Sequence, residues 1–358
     1  MPFSANRDFK SAPRLMNEAE GMYYKKQDGT PVLDGTAGLW CCNAGHSHEK
    51  IVHAIQDQAA KLDFAPSFQM GHPLGFEAAE KLLSIAPSND FQYVFFTNSG
   101  SESVDTALKI ALGYQQHVGN PEKKILIGRN RAYHGVGFGG ISVGGMVNNR
   151  KNFGDLLSGV DLLPHTFDAQ QCFSKGLPVN KGTEFADGLE QLVQRYGATT
   201  IAAVIVEPVS GSAGVIVPPQ GYLQRLRDIC DRHNILLIFD EVITGFGRVG
   251  DVTAAQRFGV KPDIITLAKG LTNGCIPMGA VLVDKKIPPV FMQDDEEIIE
   301  LFHGYTYSGH PVACAAALAA LNIYEQNNLF TRALQLESYW EQAVHSLADL
   351  HGVIDIRN

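Results

Sequence analysis

Four short apolar runs of this sequence end at residues that could do chemistry. Lys269 follows the run at residues 263–268, and Asp240 follows the run at residues 235–239. Burial lowers the pKa of a lysine and makes its amine a usable nucleophile or base. A carboxylate that ends a buried run needs a partner, and a cationic heterocyclic nitrogen is a suitable one. A lysine that reaches back to solvent and an ion-paired or helix-capping aspartate also explain these residues singly.

The other two runs end at a small polar turn and at a second carboxylate. The run at residues 93–97 leads into the turn 98–101 (NSGS), after which a helical pattern begins. Free backbone N–H groups at a helix start favour an anion such as phosphate. Gly100 would permit close approach of the anion, and Ser101 would add a hydroxyl donor. Glu207 ends the run at residues 201–206. A plain helix cap is the alternative explanation for the turn, and a structural ion pair is the alternative for Glu207.

Together these ends supply three groups that one cofactor needs. Pyridoxal phosphate (PLP) requires an anion site for its phosphate, an acid partner for its pyridine nitrogen and a lysine for its aldehyde. The turn with Gly100 and Ser101, the carboxylate of Asp240 and the amine of Lys269 match those requirements. The match holds only if the runs are strands of one sheet that end at the same edge.

Strand-like and helix-like segments do alternate between about residue 50 and residue 290. Helical spacing, as at Val104, Ala107, Leu108 and Ala111, separates the apolar runs. Several runs are apolar on consecutive residues, as in strands covered on both faces; the runs lie at 93–97, 125–127, 201–206, 235–239, 264–267 and 280–283. The pattern predicts an α/β fold with a mostly parallel sheet and helices on both faces. Ligands of such folds bind beyond the carboxyl ends of the strands, where the polar residues stand.

Composition and charge argue against several other classes of function. Apolar residues make up 45% and charged residues 19% of the 358 residues, which is typical of a globular protein with a sizeable core. The formal net charge of −9 argues against a nucleic-acid partner. No apolar run approaches the ~20 residues of a membrane helix, and no signal-peptide core begins the chain. Six scattered cysteines without a CxxC pair indicate free thiols in the cytoplasm, and His46, His48 and His53 lack the further ligands of a metal site.

Several stretches resemble the motifs of the class-III (ω) PLP-dependent aminotransferases, and they occur in that family's order. The stretches are 98–102 (NSGSE), 239–248 (FDEVITGFGR), 267–274 (LAKGLTNG) and 303–311 (HGYTYSGHP). Within the family, the chain resembles most the group that transfers amino groups from β-alanine and other ω-amino acids to pyruvate. That likeness rests on 68–73 (FQMGHP), 132–135 (AYHG) and 272–280 (TNGCIPMGA).

The resemblance implies a fold and a set of site residues. It implies the fold-type I architecture of PLP-dependent transferases, in a homodimer or homotetramer with shared active sites. Lys269 would be the Schiff-base lysine, and Asp240 would bind the pyridine nitrogen. The further residues that it implies are Gly100 and Ser101 at the phosphate, Tyr133 and Val242 on the two ring faces, Thr306 at the phosphate of the other subunit, Glu207 at the cofactor site, and Trp40 with Tyr133 at the substrate. For Tyr133, Val242 and Trp40, ordinary core packing is the competing explanation.

The resemblance also implies a mechanism. An amine substrate would displace Lys269, which would then move a proton between the substrate carbon and the cofactor carbon. Asp240 would keep the pyridine nitrogen protonated, and a keto acid such as pyruvate would then receive the amino group. Some relatives carry a second Glu in the loop after Glu207, whereas this chain has Ser212 there. That difference favours the pyruvate-dependent group.

The flanks of the alternating region complete the expected domain plan. Gly- and Pro-containing turns dominate residues 1–50, and helical patterns at 312–324 and 334–347 follow the last strand. We predict an N-terminal segment of a small α+β domain at 1–50 and a large PLP-binding domain at 51–290. Linker helices and the start of the C-terminal small domain would occupy 291–358. Residues 353–358 (VIDIRN) are typical of a first strand without a partner, so the chain is expected to be incomplete, and the acceptor-binding Arg to lie beyond it.

Rival functions rest on weaker patterns. Residues 135–140 (GVGFGG) match the G-x-G-x-x-G of nicotinamide dehydrogenases, but the match does not directly follow the preceding strand, and residues 141–145 (ISVGG) do not suggest a helix. Another class-III aminotransferase with an ornithine, GABA or diamine donor is an alternative, as is an aminomutase or decarboxylase of the same fold. A binding protein of this fold that takes up no PLP is a third possibility.

Overall fold

The computed structural model describes residues 1–293 and 298–358. Its strands are β1 (Met16–Glu20), β2 (Tyr23–Lys26), β3 (Pro31–Leu33), β4 (Phe91–Thr97), β5 (Ile125–Asn130), β6 (Gly144–Gly145), β7 (Val160–Leu163), β8 (Ile201–Val206), β9 (Leu236–Asp240), β10 (Ile264–Leu267) and β11 (Gly279–Asp284). Its helices are α1 (Asn6–Ser11), α2 (Ala37–Trp40), α3 (Glu49–Lys61), α4 (Pro73–Ser84), α5 (Gly100–His117), α6 (Phe138–Val143), α7 (Gly182–Ala186), α8 (Gly188–Tyr196), α9 (Tyr222–Arg232), α10 (Ala254–Phe258), α11 (Pro311–Gln326) and α12 (Arg332–His345).

Eight of these strands form one central sheet. Its order is β4-β11-β10-β9-β8-β5-β6, with β7 also paired to β5. The strand β11 runs antiparallel to both of its neighbours, and the other described pairings, from β10 to β7, are parallel. All six predicted apolar runs are strands of this sheet. The predicted α/β architecture with a mostly parallel sheet is therefore confirmed.

The sheet is covered on both faces because its strands are apolar at consecutive positions. Every residue of β8 and β9 is buried. Val204 and Val206 belong to one hydrophobic cluster with helices α9 and α11, while Ala203 and Ile205 belong to a second cluster with α5. Side chains of a strand alternate between faces, so one strand contributes to two cores. This packing fixes the carboxyl ends of β8, β9 and β10 relative to one another.

The first fifty residues form structure that the sequence did not indicate. Strands β1, β2 and β3 make a separate antiparallel sheet. Its strands are mostly exposed, so they lack the apolar runs by which the central strands could be recognised. The short element α2 follows, and all four of its residues have positive φ.

Helices follow the last strand, as predicted, at α11 and α12. The acidic run 294–297 (DDEE), whose composition is typical of a solvated helix start, lies outside the described residues. In the part of the chain that the structure describes, residues 353–358 pair with no strand, so the expected first strand without a partner stays a prediction. Side chains of this segment bond to loops, since Asp355 Oδ1 accepts from Phe173 N at 2.9 Å and Arg357 donates to the Gly214 carbonyl at 2.6 Å. The division into three domain segments stays a prediction.

No described helix combines the length and the apolar character that crossing a bilayer requires.

Candidate active site

A cavity of about 310 Å³ lies beyond the carboxyl ends of the central strands. It is lined by residues of the strand ends and of the turns that follow them. Lys269 and Asp240 both line it, and so do the other residues expected at one chain's cofactor site: Gly100, Ser101, Tyr133, Val242 and Glu207. Residues 169 positions apart in the sequence, from 100 to 269, thus meet in one space, because their strands end at the same edge of the sheet.

Lys269 begins the short 3₁₀ turn that follows β10 and Ala268. Its φ is 46°, a left-handed conformation that a side-chain-bearing residue adopts at a steric cost. Burial lowers the pKa of its amine, while the charges of Asp240, Cys41 and Glu207 oppose that shift. The amine is therefore closer to its neutral, nucleophilic form at physiological pH than a surface lysine would be.

Asp240 is the last residue of β9 and lies opposite Thr266 of β10. Its Oδ1 accepts from Thr266 Oγ1 and from Val242 N, both at 3.2 Å. Its Oδ2 is 2.8 Å from His134 Nδ1, and since a carboxylate only accepts, the imidazole is the donor. These bonds fix the orientation of a carboxylate that is only 5% exposed.

The neighbouring carboxylate of Glu241 points away from the cavity. It accepts from Ala255 N at 2.9 Å at the start of α10 and from Thr244 Oγ1 at 3.1 Å. Burial raises the pKa of Glu241 to about 7. Alternation along the strand thus assigns one acid to the site and the next to a helix cap.

The start of α5 forms the polar corner of the cavity. Ser99 Oγ caps the helix by accepting from Glu102 N at 3.2 Å, and Glu102 Oε2 accepts from Asn98 N at 2.7 Å, just before the cap. Ser101 Oγ accepts from Val136 N at 3.0 Å and keeps its own hydrogen free to donate. Backbone N–H groups in the first turn of a helix lack partners inside the helix and suit an anion.

Glycines at this corner are required by space. Gly135 has φ +84°, and a Cβ there would lie 2.4 Å from Ser101 Oγ. A Cβ on Gly100 would lie 2.8 Å from Val242 Cγ1. Both glycines let the backbone pass close to residues that line the cavity.

Tyr133 and Glu207 are joined at the same edge. Tyr133 N donates to Glu207 Oε2 at 3.1 Å. Burial raises the pKa of Glu207, an effect that His134 and Arg129 oppose and that Asp240 reinforces. Burial also raises the pKa of the Tyr133 hydroxyl. Glu207 therefore positions the Tyr133 backbone while the tyrosine lines the cavity.

Two expected site residues do not line this cavity. Thr306 lies on an exposed stretch, and Trp40 is half-buried beside Cys41, which lines the cavity itself. Sequence reasoning missed the contributions of His134 and Cys41. His134 follows Tyr133 in the quoted AYHG turn, but nothing in the sequence shows that it meets a carboxylate 106 positions away. Among the described residues, no group of three or more potential metal ligands occurs.

The G-x-G-x-x-G stretch does not form a phosphate cradle. Contrary to expectation, a short helix, α6, begins within it at Phe138. Gly140 N donates to Asp105 Oδ1 at 2.8 Å, and a Cβ on Gly137 would lie 2.3 Å from Asp105 Oδ2. A carboxylate occupies the place where a dinucleotide would need its pyrophosphate, so the two charges would repel.

Comparison with known proteins assigns the family. The family description "Aminotransferase class-III" matches residues 4–358. The chain belongs to the class-III aminotransferases. An omega-aminotransferase of Caulobacter vibrioides is 59% identical to this aminotransferase over 360 residues, which cover 100% of this chain and 81% of that protein. A beta-alanine–pyruvate aminotransferase of Pseudomonas aeruginosa is 51% identical, with 100% and 80% covered.

A solved structure agrees with this assignment. The crystal structure of an amine transaminase from an uncultivated Pseudomonas species, in its PLP-bound form, matches with a TM-score of 0.91 and 38% identity. The match covers 98% of this chain and 79% of that one. The expected family, the fold-type I architecture, the aminotransferase class and its PLP cofactor are thereby confirmed.

The residues of the cavity fit PLP. One space is surrounded by an anion cradle at Gly100 and Ser101, an oriented carboxylate at Asp240 and a half-buried amine at Lys269. The glycine contacts leave no room for a side chain where the backbone must approach a phosphate. The donor set has one group for each polar part of the cofactor.

Proposed function

We propose that this aminotransferase moves the amino group of an ω-amino acid, such as β-alanine, or of a simple amine to pyruvate. The products are the corresponding aldehyde or keto compound and L-alanine. The observation that carries the proposal is the pairing of a half-buried Lys269 in a left-handed conformation with the fixed carboxylate of Asp240 in one cavity. Identities of 59% and 51% to relatives named omega-aminotransferase and beta-alanine–pyruvate aminotransferase support this substrate class.

Lys269 and Asp240 are the proposed catalytic residues. When bound, PLP supplies an aldehyde that reacts with amines and a ring that accepts electrons. The Nζ atom of Lys269 removes a proton from the substrate carbon and delivers it to the cofactor carbon, and its lowered pKa suits both roles. The carboxylate of Asp240 holds a proton at the pyridine nitrogen, and its bonds to His134 and Thr266 keep it in place.

The remaining residues bind and orient. Gly100 and Ser101 hold the phosphate at the start of α5, where N–H groups and the helix dipole favour negative charge. Tyr133 and Val242, which both line the cavity, pack on the two faces of the ring. Glu207 acts through Tyr133, whose backbone it holds.

Trp40, Thr306 and the assembly belong to the same proposal. Trp40 borders the substrate, because it immediately precedes Cys41, which lines the cavity. Thr306 is exposed in one chain and serves the phosphate of a second copy, so the enzyme is at least a homodimer. We also propose a cytoplasmic location, because all six cysteines are free.

The first experiment follows alanine formation from pyruvate with a panel of donors: β-alanine, longer ω-amino acids, ornithine, GABA and simple amines. Lys269→Ala should abolish turnover while the protein stays folded, because no other residue supplies the amine. Lys25→Ala, on the exposed N-terminal sheet, is the matched control and should keep full turnover. No alanine from any ω-amine, or substantial turnover by Lys269→Ala without added amine, would contradict the proposal.

A further inference from the structure

The element α2 is a left-handed turn beside the active-site cavity. The φ values of Ala37, Gly38, Leu39 and Trp40 are 48°, 59°, 60° and 64°. Residues other than glycine visit this conformation singly, because their Cβ crowds the backbone carbonyl. Three of these four residues carry a Cβ, so the turn is strained and must be held by its surroundings.

Asp34 supplies that restraint. Its carboxylate accepts from Gly38 N at 2.6 Å and from both the N–H and the hydroxyl of Thr36 at 3.1 Å. It also accepts from His46 Nε2 at 2.7 Å, and its side chain is only 5% exposed. One carboxylate thus bonds to Thr36 before the turn, to Gly38 within it and to His46 after it.

His46 is fixed in turn by a thiol. Since its Nε2 donates to Asp34, its Nδ1 is free to accept, and Cys42 Sγ lies 3.6 Å from that nitrogen. The His46 ring also packs against Tyr24 of β2, with ring centroids 4.4 Å apart. The sequence suggested no partners for this histidine, because Asp34 stands twelve positions earlier.

Asp34 contacts His46, and His46 contacts Cys42, as the acid, base and nucleophile do in a hydrolase triad. These three residues cannot act as a catalytic triad. Burial raises the pKa of the Cys42 thiol to about 11, so the sulfur stays protonated and is not a nucleophile. Cys42 does not line the cavity, whereas Cys41 does. The network therefore shapes the backbone rather than reacting.

Beyond the turn, the chain is clamped to the segment that carries the catalytic lysine. Ala44 N donates to Asn273 Oδ1, and Asn273 Nδ2 donates to the Gly45 carbonyl, both at 2.8 Å. A Cβ on Gly274 would lie 2.9 Å from the Cβ of Cys41. The left-handed turn is thus held between the clamp at residues 44–45 and the carboxylate of Asp34.

We propose that Asp34, together with His46, is a positioning residue that holds the left-handed turn Ala37–Trp40 and thereby shapes the rim through which the amino donor reaches Lys269. This role rests on the proposed function, since it concerns the donor of that reaction. The turn reaches the cavity through Cys41, which lines it and packs against Gly274 in the segment that follows Lys269. Loss of the carboxylate should therefore affect the donor more than the cofactor.

The kinetic test compares Asp34→Ala with the wild type. We expect the KM for the donor to rise about tenfold, while kcat and PLP uptake change by no more than about threefold. Asp34→Asn keeps the size and one acceptor oxygen, and it should recover part of the loss. Asp28→Ala is the matched control, because Asp28 Oδ1 accepts from Thr30 N in an exposed hairpin away from the cavity; its KM should equal that of the wild type. An unchanged donor KM in Asp34→Ala, or equal losses in kcat and PLP uptake, would overturn the proposal.

A double mutant tests the link to strain. Glycine adopts positive φ without the crowding that Leu39 suffers, and the Leu39 side chain is 64% exposed. In a Leu39→Gly background the left-handed turn is less strained, so it depends less on the bonds to the Asp34 carboxylate. Asp34→Ala should therefore raise the donor KM by a smaller factor there than in the wild type, whereas equal factors would show that Asp34 does not act through the turn.

Fluorescence provides a measurement that does not depend on turnover. The chain has two tryptophans, so Trp340→Phe leaves Trp40 as the only one. In that background, Asp34→Ala should raise acrylamide quenching of Trp40 about twofold, and Asp28→Ala should leave it unchanged. If the wild type forms no alanine while this change occurs, the proposed function fails and the structural role of Asp34 stands. If quenching does not change, the positioning role itself fails.

Discussion

The amine of Lys269 is unusual for a lysine because it is half-buried in a cavity that it shares with the carboxylate of Asp240. Burial lowers its pKa, and Asp240 opposes that shift. The neutral amine should therefore predominate above a midpoint lower than the ~10.4 of an ordinary lysine. We predict that competitive labelling of the cofactor-free enzyme, read by mass spectrometry at residue 269, gives such a midpoint. The denatured chain is the reference, and Asp240→Asn should move the midpoint still lower. A native midpoint at or above that of the denatured chain would contradict this prediction.

The residues predicted from sequence and those missed differ in a physical way. Lys269, Asp240, Gly100 and Ser101 stand at strand ends, and the parallel sheet brings strand ends together. His134 could not be found in this way, because its role depends on a contact with Asp240 across the site. The local sequence pattern indicates which side chains lie at the same edge of the sheet, but it does not indicate which of them are in contact.

At the scale of elements, the approach of the Gly135 turn to the start of α5 is testable. Gly135→Ala would place a Cβ 2.4 Å from Ser101 Oγ and 2.7 Å from Ser101 Cα. Ser101 or the Gly135 turn must move to relieve this contact at the start of α5, where the phosphate would bind. We therefore expect PLP to bind about tenfold more weakly, equivalent to about 1.4 kcal/mol. Spectroscopic titration of the cofactor-free enzyme measures this. Gly29→Ala has nearly the same φ, +83°, with nothing within 4 Å, and should leave the affinity unchanged. Equal effects of both changes would mean that backbone strain, not the contact, is responsible.

Strands β9 and β10 are joined at their other ends by a buried acid. Asp263 accepts from Leu237 N at 2.7 Å and from Arg227 Nη1 at 2.9 Å. Burial alone would raise its pKa, but Arg227 and Lys286 outweigh burial and hold the pKa below its usual value. This stabilisation is therefore complete above the ordinary carboxyl pKa of about 3.9 and is lost as pH falls through the lower folded value.

Asp263→Asn should accordingly lower the free energy of unfolding at neutral pH by about 3–5 kcal/mol, because Arg227 would lose its buried partner and keep only the exposed Asp231. Urea unfolding measures the change, and the difference from the wild type should shrink below about pH 4. Asp231, whose side chain is 64% exposed, is the other partner of Arg227. Asp231→Asn should therefore lower the free energy of unfolding by at most about 1 kcal/mol. Similar losses in the two variants would refute the importance of burial here.

The N-terminal elements show where local pattern fails. The sheet of β1, β2 and β3 is mostly exposed, so its strands have no apolar runs by which the sequence could indicate them. The turn α2 contradicts the backbone preferences of Ala37, Leu39 and Trp40, and it exists because Asp34 and the clamp at Asn273 hold it. Tertiary contacts decide such elements, and their partners lie too far along the chain to be recognised.

For the whole molecule, the central sheet was predictable because two cores cover it. Strands buried on both faces are apolar at consecutive positions, which is visible in sequence. The reversal of β11 was not visible, because a buried antiparallel strand has the same composition as a parallel one. The exposed position of Thr306 raises a different question, that of how many chains complete one site.

Hybrid enzymes can answer that question. If Thr306 serves the partner's cavity, a hybrid dimer of Lys269→Ala and Thr306→Glu chains has one cavity with both changes and one with neither. Each variant alone should be inactive, since Thr306→Glu sets a carboxylate against the phosphate. Random reassociation makes about half of the dimers hybrids, so the mixture should regain about a quarter of the wild-type turnover. Lys269→Ala mixed with Ser101→Glu is the matched control, because both residues line the cavity of the same chain and every cavity of that hybrid is damaged. No recovery in the first mixture would show that the cavity is completed within one chain. Recovery in the control would show that Ser101 and Lys269 do not serve the same cavity, and the test would then say nothing about Thr306.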